Sequence, residues 1–385
     1  MIEWKISDLD IESTEKILLP EGAHFPEDAR NVIRCWHSTD VAACPGSGKT
    51  TVLLAKLKLL ADRMPFVNGT GICVLSHTNV AVNEIKKRLS GCADKLLSYP
   101  NFIGTIQSFV DKFVTMPYLR NFAGRNVQAV DNLTYAQHML NRMQNNPNYK
   151  SLNWVTKNSF ETGKQFSDRL DHTQALYIRD DGALCLGKLK KALAGANKPS
   201  AKQYNALIED LLKNEGIMRY KDAYSYANEA INDLPQAYTD LFSSRFQYVF
   251  IDEYQDCDDV QRRAIETIFN STKCTVIKIG DSDQAIYNSS EAETPDWVPQ
   301  DGFLPIMTSC RYSQEIANVI FKLKKDQQNI TTFAGKTGIK PILLVFNPDQ
   351  TNKVIGEFIN VLDTHGLYDN KGIYKAIGAI RKKDS

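Results

Sequence analysis

A surplus of charge of either sign is the first thing this sequence lacks. Its 46 lysines and arginines stand against 45 aspartates and glutamates, leaving +1 at neutral pH. That excludes a bulk polycation, so any nucleic-acid surface has to come from local arrangement. No apolar run approaches the roughly 18 residues of a membrane span. Met1-Ile2-Glu3-Trp4-Lys5 shows no basic segment leading into an apolar one, so no secretory leader is expected. The eight cysteines (Cys35, Cys44, Cys73, Cys92, Cys185, Cys257, Cys274 and Cys310) never fall two to four residues apart, which excludes a zinc knuckle. The six histidines show no metal-ligand spacing either. Free thiols in apolar runs, such as Cys73 in Gly71-Ile-Cys-Val-Leu75, point to a reducing, cytoplasmic setting with no membrane partner. There is no internal repeat and no low-complexity tract.

What remains is an ordinary globular composition, 43% apolar and 24% charged over 385 residues, enough for two or three domains. Short apolar segments alternate with helix-like ones. Asp40–Ala43, Gly71–Leu75, Phe102–Ile106, Tyr248–Ile251 and Thr275–Ile279 read as strands, while Thr51–Leu60 and Asn79–Leu89 read as helices. This alternation predicts an α/β fold with a parallel sheet covered on both faces, whose ligands gather at the carboxyl ends of the strands. Residues 111–241 differ: they are rich in Asn, Gln, Lys and Tyr, lack strong strand signals, and are expected to form a helical insertion. Within it no acidic residue occurs from Gly182 to Ile208, while Lys188, Lys190, Lys191, Lys198 and Lys202 do. Beyond 301, Ser313–Lys325 and Lys353–Leu362 read as helices and Pro341–Phe346 and Ala376–Ile380 as strands, the start of a further α/β unit.

Ala43-Cys44-Pro45-Gly46-Ser47-Gly48-Lys49-Thr50-Thr51 lies between a strand and a helix and fits a phosphate loop, with Ala43 in place of the leading glycine. Small residues let successive backbone N–H groups wrap a phosphate; Lys49 reaches its outer oxygens and the Thr50 hydroxyl holds Mg²⁺. The second Gly-Lys-Thr, at residues 335–337, lacks the supporting glycines. The strand ending at Ile251 delivers Asp252 and Glu253. Asp252 suits water-mediated binding of Mg²⁺, and Glu253 suits a general base that polarises an attacking water. Five carboxylates between 252 and 259 also fit a helix N-terminus, a reading that suits Asp258 and Asp259 but not acids ending a buried strand. A third strand ends in Gly280-Asp281-Ser282-Asp283-Gln284, where the Gln284 amide could reach a γ-phosphate.

In order, Ala43–Thr51, Ser76–Ile85, Gly104–Phe109, Ile251–Asp256, Gly280–Tyr287 and Ser309–Ser313 resemble the motifs of the UvrD/Rep-type superfamily 1 DNA helicases, and most of all the helicase-like subunits of Gabija-type anti-phage systems. The resemblance implies two RecA-like domains around ATP and a 3′-to-5′ translocase on single-stranded DNA. The first domain would take residues 1–110 and 242–300, the insertion 111–241 would flank the DNA, and 301–385 would begin the second domain. The resemblance further implies that Gln284 couples the γ-phosphate to the DNA site and that Arg311 is an arginine finger. It places Thr78, Asn79, Thr105 and Tyr287 along the DNA groove, where hydroxyls and amides grip phosphates and an aromatic stacks on bases.

The sequence also departs from that pattern. Pro26-Glu27-Asp28 stands where the family carries an adenine-reading glutamine, and Cys310 where it carries an adenine-stacking aromatic. Asn288-Ser289-Ser290 replaces a base-stacking tryptophan after Tyr287, and the late motifs are not among the 385 residues. These departures support an alternative: a nucleotide-gated DNA-sensing or scaffold subunit that works with a partner nuclease, or another repair or defence protein, and unwinds little.

Overall fold

The computed structural model describes residues 5–375 apart from 123, 125, 159–165, 188–190, 234, 271–272, 286–296, 325–328, 334–337, 339 and 368–373. Six strands form one all-parallel sheet: β1 (Thr39–Ala43), β2 (Gly71–Ser76), β3 (Phe102–Thr105), β4 (Phe246–Ile251), β5 (Thr275–Gly280) and β6 (Leu304–Ile306). Their spatial order is β6-β1-β5-β4-β2-β3. β1 pairs with β5 from Thr39↔Ile277 to Ala42↔Gly280, and β2 pairs with β4 from Gly71↔Phe246 to Leu75↔Ile251. Both faces are covered, which is why the strands read as unbroken apolar runs. One face packs Ile11, Ile33, Leu53, Leu57, Phe250 and Ile279 into a single core. The other packs Phe109, Val114, Phe242, Val249 and Ile265.

β6 revises the expected division at residue 300. Its backbone pairs with β1 (Val41↔Leu304 to Ala43↔Ile306), so the first sheet runs through Ile306. Pro305 hid this strand in the sequence, yet a proline is tolerated on an edge strand, which has no outer neighbour needing its N–H. The insertion is mainly helical, as expected, and has its own core around Tyr135, Met139, Leu152, Tyr204 and Leu207. It also carries strands that the sequence did not show: an antiparallel sheet of Leu176–Ile178, Leu184–Leu186 and Lys191–Ala194, and a short pair of Ala129–Val130 with Ile217–Met218. Segments of two to four residues are too short to display a period.

Downstream, the expected helices appear as Gln314–Leu323 and Val354–Thr364. The expected strand at Pro341–Phe346 does not form, and Leu343 and Val345 are 85% and 87% exposed. An apolar run becomes a strand only where a neighbouring strand takes up its backbone hydrogen bonds, and this one pairs with none. The expected strand at 376–380 and the second Gly-Lys-Thr lie outside the described residues. None of the eight cysteines forms a disulfide, and among the described residues no helix is long and apolar enough to cross a membrane.

One buried lysine, whose pKa is lowered to about 7 by burial, fixes the helix that follows Cys44–Gly48. α1 (Asp8–Leu18) and α2 (Glu27–Arg34) lie against α3 (Lys49–Asp62). Lys56, fully buried on α3, donates its ammonium to the carbonyls of Val32 (2.8 Å), Ile33 (3.3 Å) and Cys35 at the carboxyl end of α2. The same ammonium lies 4.0 Å from the centre of the Trp36 ring. Orphan carbonyls at a helix end need donors, and a cation also suits the negative end of the helix dipole. We expect Lys56→Met to lower unfolding free energy by about 1–3 kcal/mol, the cost of stranding buried acceptors, in urea melts monitored by circular dichroism.

Candidate functional site

β1 ends at Ala43 and the chain turns through Cys44–Gly48 into α3, which starts at Lys49. Gly46 and Gly48 adopt φ of +76° and +86°, the left-handed region that glycine enters without a steric cost. At Gly46 the need is also spatial: a Cβ would sit 2.9 Å from both Arg311 Cβ and Ser309 Oγ. The loop and the segment after β6 are held together. Cys310 N–H donates to the Gly46 carbonyl (3.2 Å), and the Tyr312 hydroxyl donates to the Pro45 carbonyl (2.7 Å).

Asp252 and Glu253 follow β4, next to β5 and one strand removed from β1. Asp252 is buried, its N–H donating to the Leu75 carbonyl on β2 (2.8 Å). Glu253 is the one non-glycine residue at positive φ among the described residues (φ 54°, ψ 45°). Such a conformation costs on the order of 1 kcal/mol and persists only where surrounding contacts enforce it. Its carboxylate lies 3.3 Å from the Lys49 ammonium and accepts from Gln255 Nε2 at 2.7 Å. Gln255 in turn accepts, through Oε1, from the Asp281 N–H after β5 (2.9 Å). Asp281 then accepts from Gln284 Nε2 (2.7 Å). Asp283 pairs with the buried Lys324 ammonium at 2.7 Å, just past the helix Gln314–Leu323. A polar relay therefore runs Lys49–Glu253–Gln255–Asp281–Gln284.

These groups meet at a cavity of about 470 Å³ lined by Gly46–Thr51, Glu253, Gln284 and Arg311. The Arg311 guanidinium has no partner among the described residues. Ser47 Oγ is buried and unpartnered within the loop. A stranded hydroxyl beside two left-handed glycines and an uncapped helix N-terminus is the donor set that a phosphate completes. For Mg²⁺ the ligands on offer are the Thr50 hydroxyl and the Asp252 carboxylate. Two such groups are the small protein share expected where phosphates and waters fill the remaining positions. The donors thus fit a nucleotide with its metal.

Residues 27–296 match the UvrD/REP helicase N-terminal domain, more than half of the chain. The chain belongs to the UvrD/REP helicase family. It is 24% identical over 329 residues to the Gabija protein GajB of Bacillus cereus (strain VD045), covering 80% of this chain and 53% of that protein. It is 23% identical over 274 residues to a probable DNA helicase II homolog of Rickettsia felis, covering 70% and 38%. With the ATP-dependent DNA helicase PcrA of Staphylococcus aureus it shares 23% over 247 residues, covering 64% and 31%. The chain thus spans about half or less of the length of these relatives.

The structure brings Lys49, Glu253 and Gln284 of the matched region, and Arg311 beyond it, to one cavity, with buried Asp252 next to Glu253 in the chain. Three of the four residues expected along DNA are not in the cavity lining but sit at the ends of the neighbouring strands β2 and β3. Thr78 and Asn79 follow β2 and precede α4 (Val80–Arg88), and Thr105 ends the neighbouring β3. Thr105 caps the helix Ile106–Val110, accepting from Ser108 N–H at 3.1 Å. Tyr287 lies outside the described residues.

Asp28 explains one departure. One of its oxygens accepts from the N–H groups of Met307 and Thr308, both at 2.8 Å, and the other from Ala29 N–H at 2.8 Å. Asp28, in the Pro26-Glu27-Asp28 stretch, is thus used to anchor the chain after β6. Cys310 is exposed.

Sequence reasoning missed Gln255 and Asp281, whose partners lie 26 residues apart in the chain. It also missed Arg88, which reaches from α4 to Thr51 Oγ1 (3.2 Å) and lines the cavity. Polar side chains just past strand ends were the available signal for the first two.

Burial first, and the neighbouring Glu253 carboxylate second, push the Asp252 carboxyl up to about 7. An unfolded aspartate titrates near ~3.9, so between these values the folded chain holds a proton that the unfolded chain has released. The stability this group contributes is complete below about pH 4 and drains away as pH rises toward 7. We expect metal-free Asp252→Asn to melt above the parent protein at pH 8, with the difference shrinking steadily as pH is lowered to 4, by differential scanning calorimetry.

Proposed function

We propose that this chain is the ATP-binding part of an ATP-dependent, 3′-to-5′ translocase or helicase acting on single-stranded DNA. The observation that carries the reading is the convergence of Lys49, Glu253, Gln284 and Arg311 on one cavity from four separate stretches of chain. Lys49 and the loop N–H groups would hold the β- and γ-phosphates, and Mg²⁺ on Thr50 and Asp252 would neutralise charge on them. Glu253 would orient and deprotonate the attacking water. The pairing seen between Lys49 and Glu253 is one that an arriving phosphate would exchange, freeing the carboxylate for the water. Arg311 would face the transferring phosphoryl group from the segment after β6. Gln284, tied through Asp281 and Gln255 to Glu253, would carry the state of the γ-phosphate toward the strand ends that bear Thr78, Asn79 and Thr105. The free cysteines support a reducing, cytoplasmic setting.

The second reading is a nucleotide-gated DNA-sensing or scaffold subunit that acts with a partner nuclease. Two observations favour it: Asp28 is committed to backbone N–H groups rather than free to read a base, and Asn288-Ser289-Ser290, with no tryptophan, comes directly after Tyr287. Service in DNA repair or in phage defence is compatible with either.

Steady-state ATP hydrolysis with and without single-stranded DNA separates the two. The motor reading expects DNA to stimulate turnover, and Glu253→Gln to lower it by roughly 10²–10⁴-fold, the usual contribution of a general base. Nucleotide binding without DNA-stimulated turnover would select the switch.

A further inference from the structure

The insertion carries a groove that the nucleotide cavity does not involve. In the helix Lys150–Asn158, Leu152 and Thr156 face the insertion's core. That leaves Lys150, Trp154 and Lys157 on the outward side, at the i, i+4, i+7 spacing of one helical stripe. Trp154 is 67% exposed, although an indole of its size is normally among the most buried side chains of a domain. Alongside run the strand Lys191–Ala194 and the start of the helix Pro199–Asp210. Between these elements lies a groove of about 690 Å³ walled by Trp154, Val155, Leu193 and Ala194, with Lys150 and Lys198 as its ionisable lining groups.

Chemistry and charge narrow what this groove can take. Lys157 and Lys202 extend the two lysines along the exposed faces of the same two helices. Among the described residues none of these four lysines has a carboxylate partner. The sequence holds no acidic residue from Gly182 to Ile208, so nothing on the strand or the start of the second helix offsets them. A flat aromatic face in an apolar recess flanked by unpaired ammonium groups matches an unstacked base with a phosphate on either side. Stacking supplies the apolar contact and the lysines the counter-charge. A duplex would present its bases already stacked and leave the indole without a partner. The volume lies within the ~300–1,000 Å³ of ordinary ligand pockets.

We infer that this groove is a second contact for single-stranded nucleic acid, in which one base stacks on Trp154 and the flanking phosphates pair with Lys150 and Lys198. It is separate from the strand ends that carry Thr78, Asn79 and Thr105, and would hold the strand against the insertion independently of nucleotide. It shares with the proposed function only the premise that this chain binds single strands.

The test is binding of fluorescein-labelled oligo(dT) to the full chain without nucleotide, read by anisotropy at several salt concentrations. Trp154→Ala is expected to weaken binding on the order of tenfold, with Trp154→Phe retaining most of it. The double variant Lys150→Glu/Lys198→Glu is expected to weaken it at least as much and to flatten the salt dependence by about two phosphate contacts. In a Trp4→Phe background, oligo(dT) should quench the tryptophan emission, because Trp297 is buried and Trp36 partly so. All substituted side chains face solvent, so melting temperatures should stay at the parent value and a loss of binding is not a loss of fold. Equal affinity of Trp154→Ala and the parent, or no quenching on binding, overturns the groove, as does a failure of the parent to bind oligo(dT) at low salt. If oligo(dT) stimulates ATP hydrolysis equally in parent and variants, the groove fails and the motor stands. If it quenches Trp154 without stimulating hydrolysis, the groove stands and the motor fails.

Discussion

Parallel strands all release their chain at the same edge of a sheet, and this one constraint sorts every candidate group in the molecule. The order β6-β1-β5-β4-β2-β3 puts the loops after β1, β5 and β4 side by side. Those loops bear Lys49 and Thr50, Gln284, and Asp252 with Glu253, so an ammonium, a hydroxyl, an amide and two acids become neighbours although more than 200 residues separate the first from the last. The loops after β2 and β3, with Thr78, Asn79 and Thr105, fall on the opposite flank. The helix that follows β2 nevertheless reaches back to the cavity, where Val80, Glu84 and Arg88 join its lining. Asp252 stands where β4 meets β2, with its N–H on the β2 carbonyl of Leu75.

Neighbouring loops still have to be held at a working distance, and here buried amides do what apolar packing cannot. Gln255 gives an N–H to Glu253 and takes one from Asp281, so two strand ends are fixed by a single side chain with both ends satisfied. Gly280 is part of the same fit: a Cβ there would lie 2.8 Å from Gln255 Oε1 and closer still to the Trp297 ring. A low-dielectric setting strengthens each of these bonds and makes leaving one unmade costly, so the relay is stiff. The stretch after β5 is tied to a further element, since Asp283 pairs with Lys324 just past the helix Gln314–Leu323.

How much of this could be read in advance follows from the range over which each feature is encoded. The phosphate loop is nine consecutive residues with their own backbone geometry, and five of the six strands are apolar runs bounded by turns. All of these were legible. β6 was not, because Leu304-Pro305-Ile306 contains a residue that argues against a strand and becomes one only through β1. Pro341–Phe346 failed in the opposite sense: its apolar pattern is that of a strand, but pairing is a property of two segments, and it has no partner. Gln255 and Asp281 were invisible for the same reason, since each has meaning only through the other. Asp28 stood out only as a departure, and its work on the Met307 and Thr308 N–H groups could not be read from its neighbours.

That last contact bears on how the arginine reaches the cavity. The segment from Met307 to Tyr312 is gripped at both ends, by Asp28 on one side and by the Pro45 and Gly46 carbonyls on the other. Gly46 has no room for a side chain because this segment crosses directly over it. Arg311 is therefore carried on backbone that is hydrogen-bonded to the phosphate loop itself, and its position is referenced to the loop rather than to a distant domain. The carboxylate at position 28 spends both oxygens on backbone N–H groups and so holds the segment that carries Arg311. The polar groups that this segment and the Cys44–Gly48 loop present to the cavity are thereby placed together, by one set of backbone hydrogen bonds.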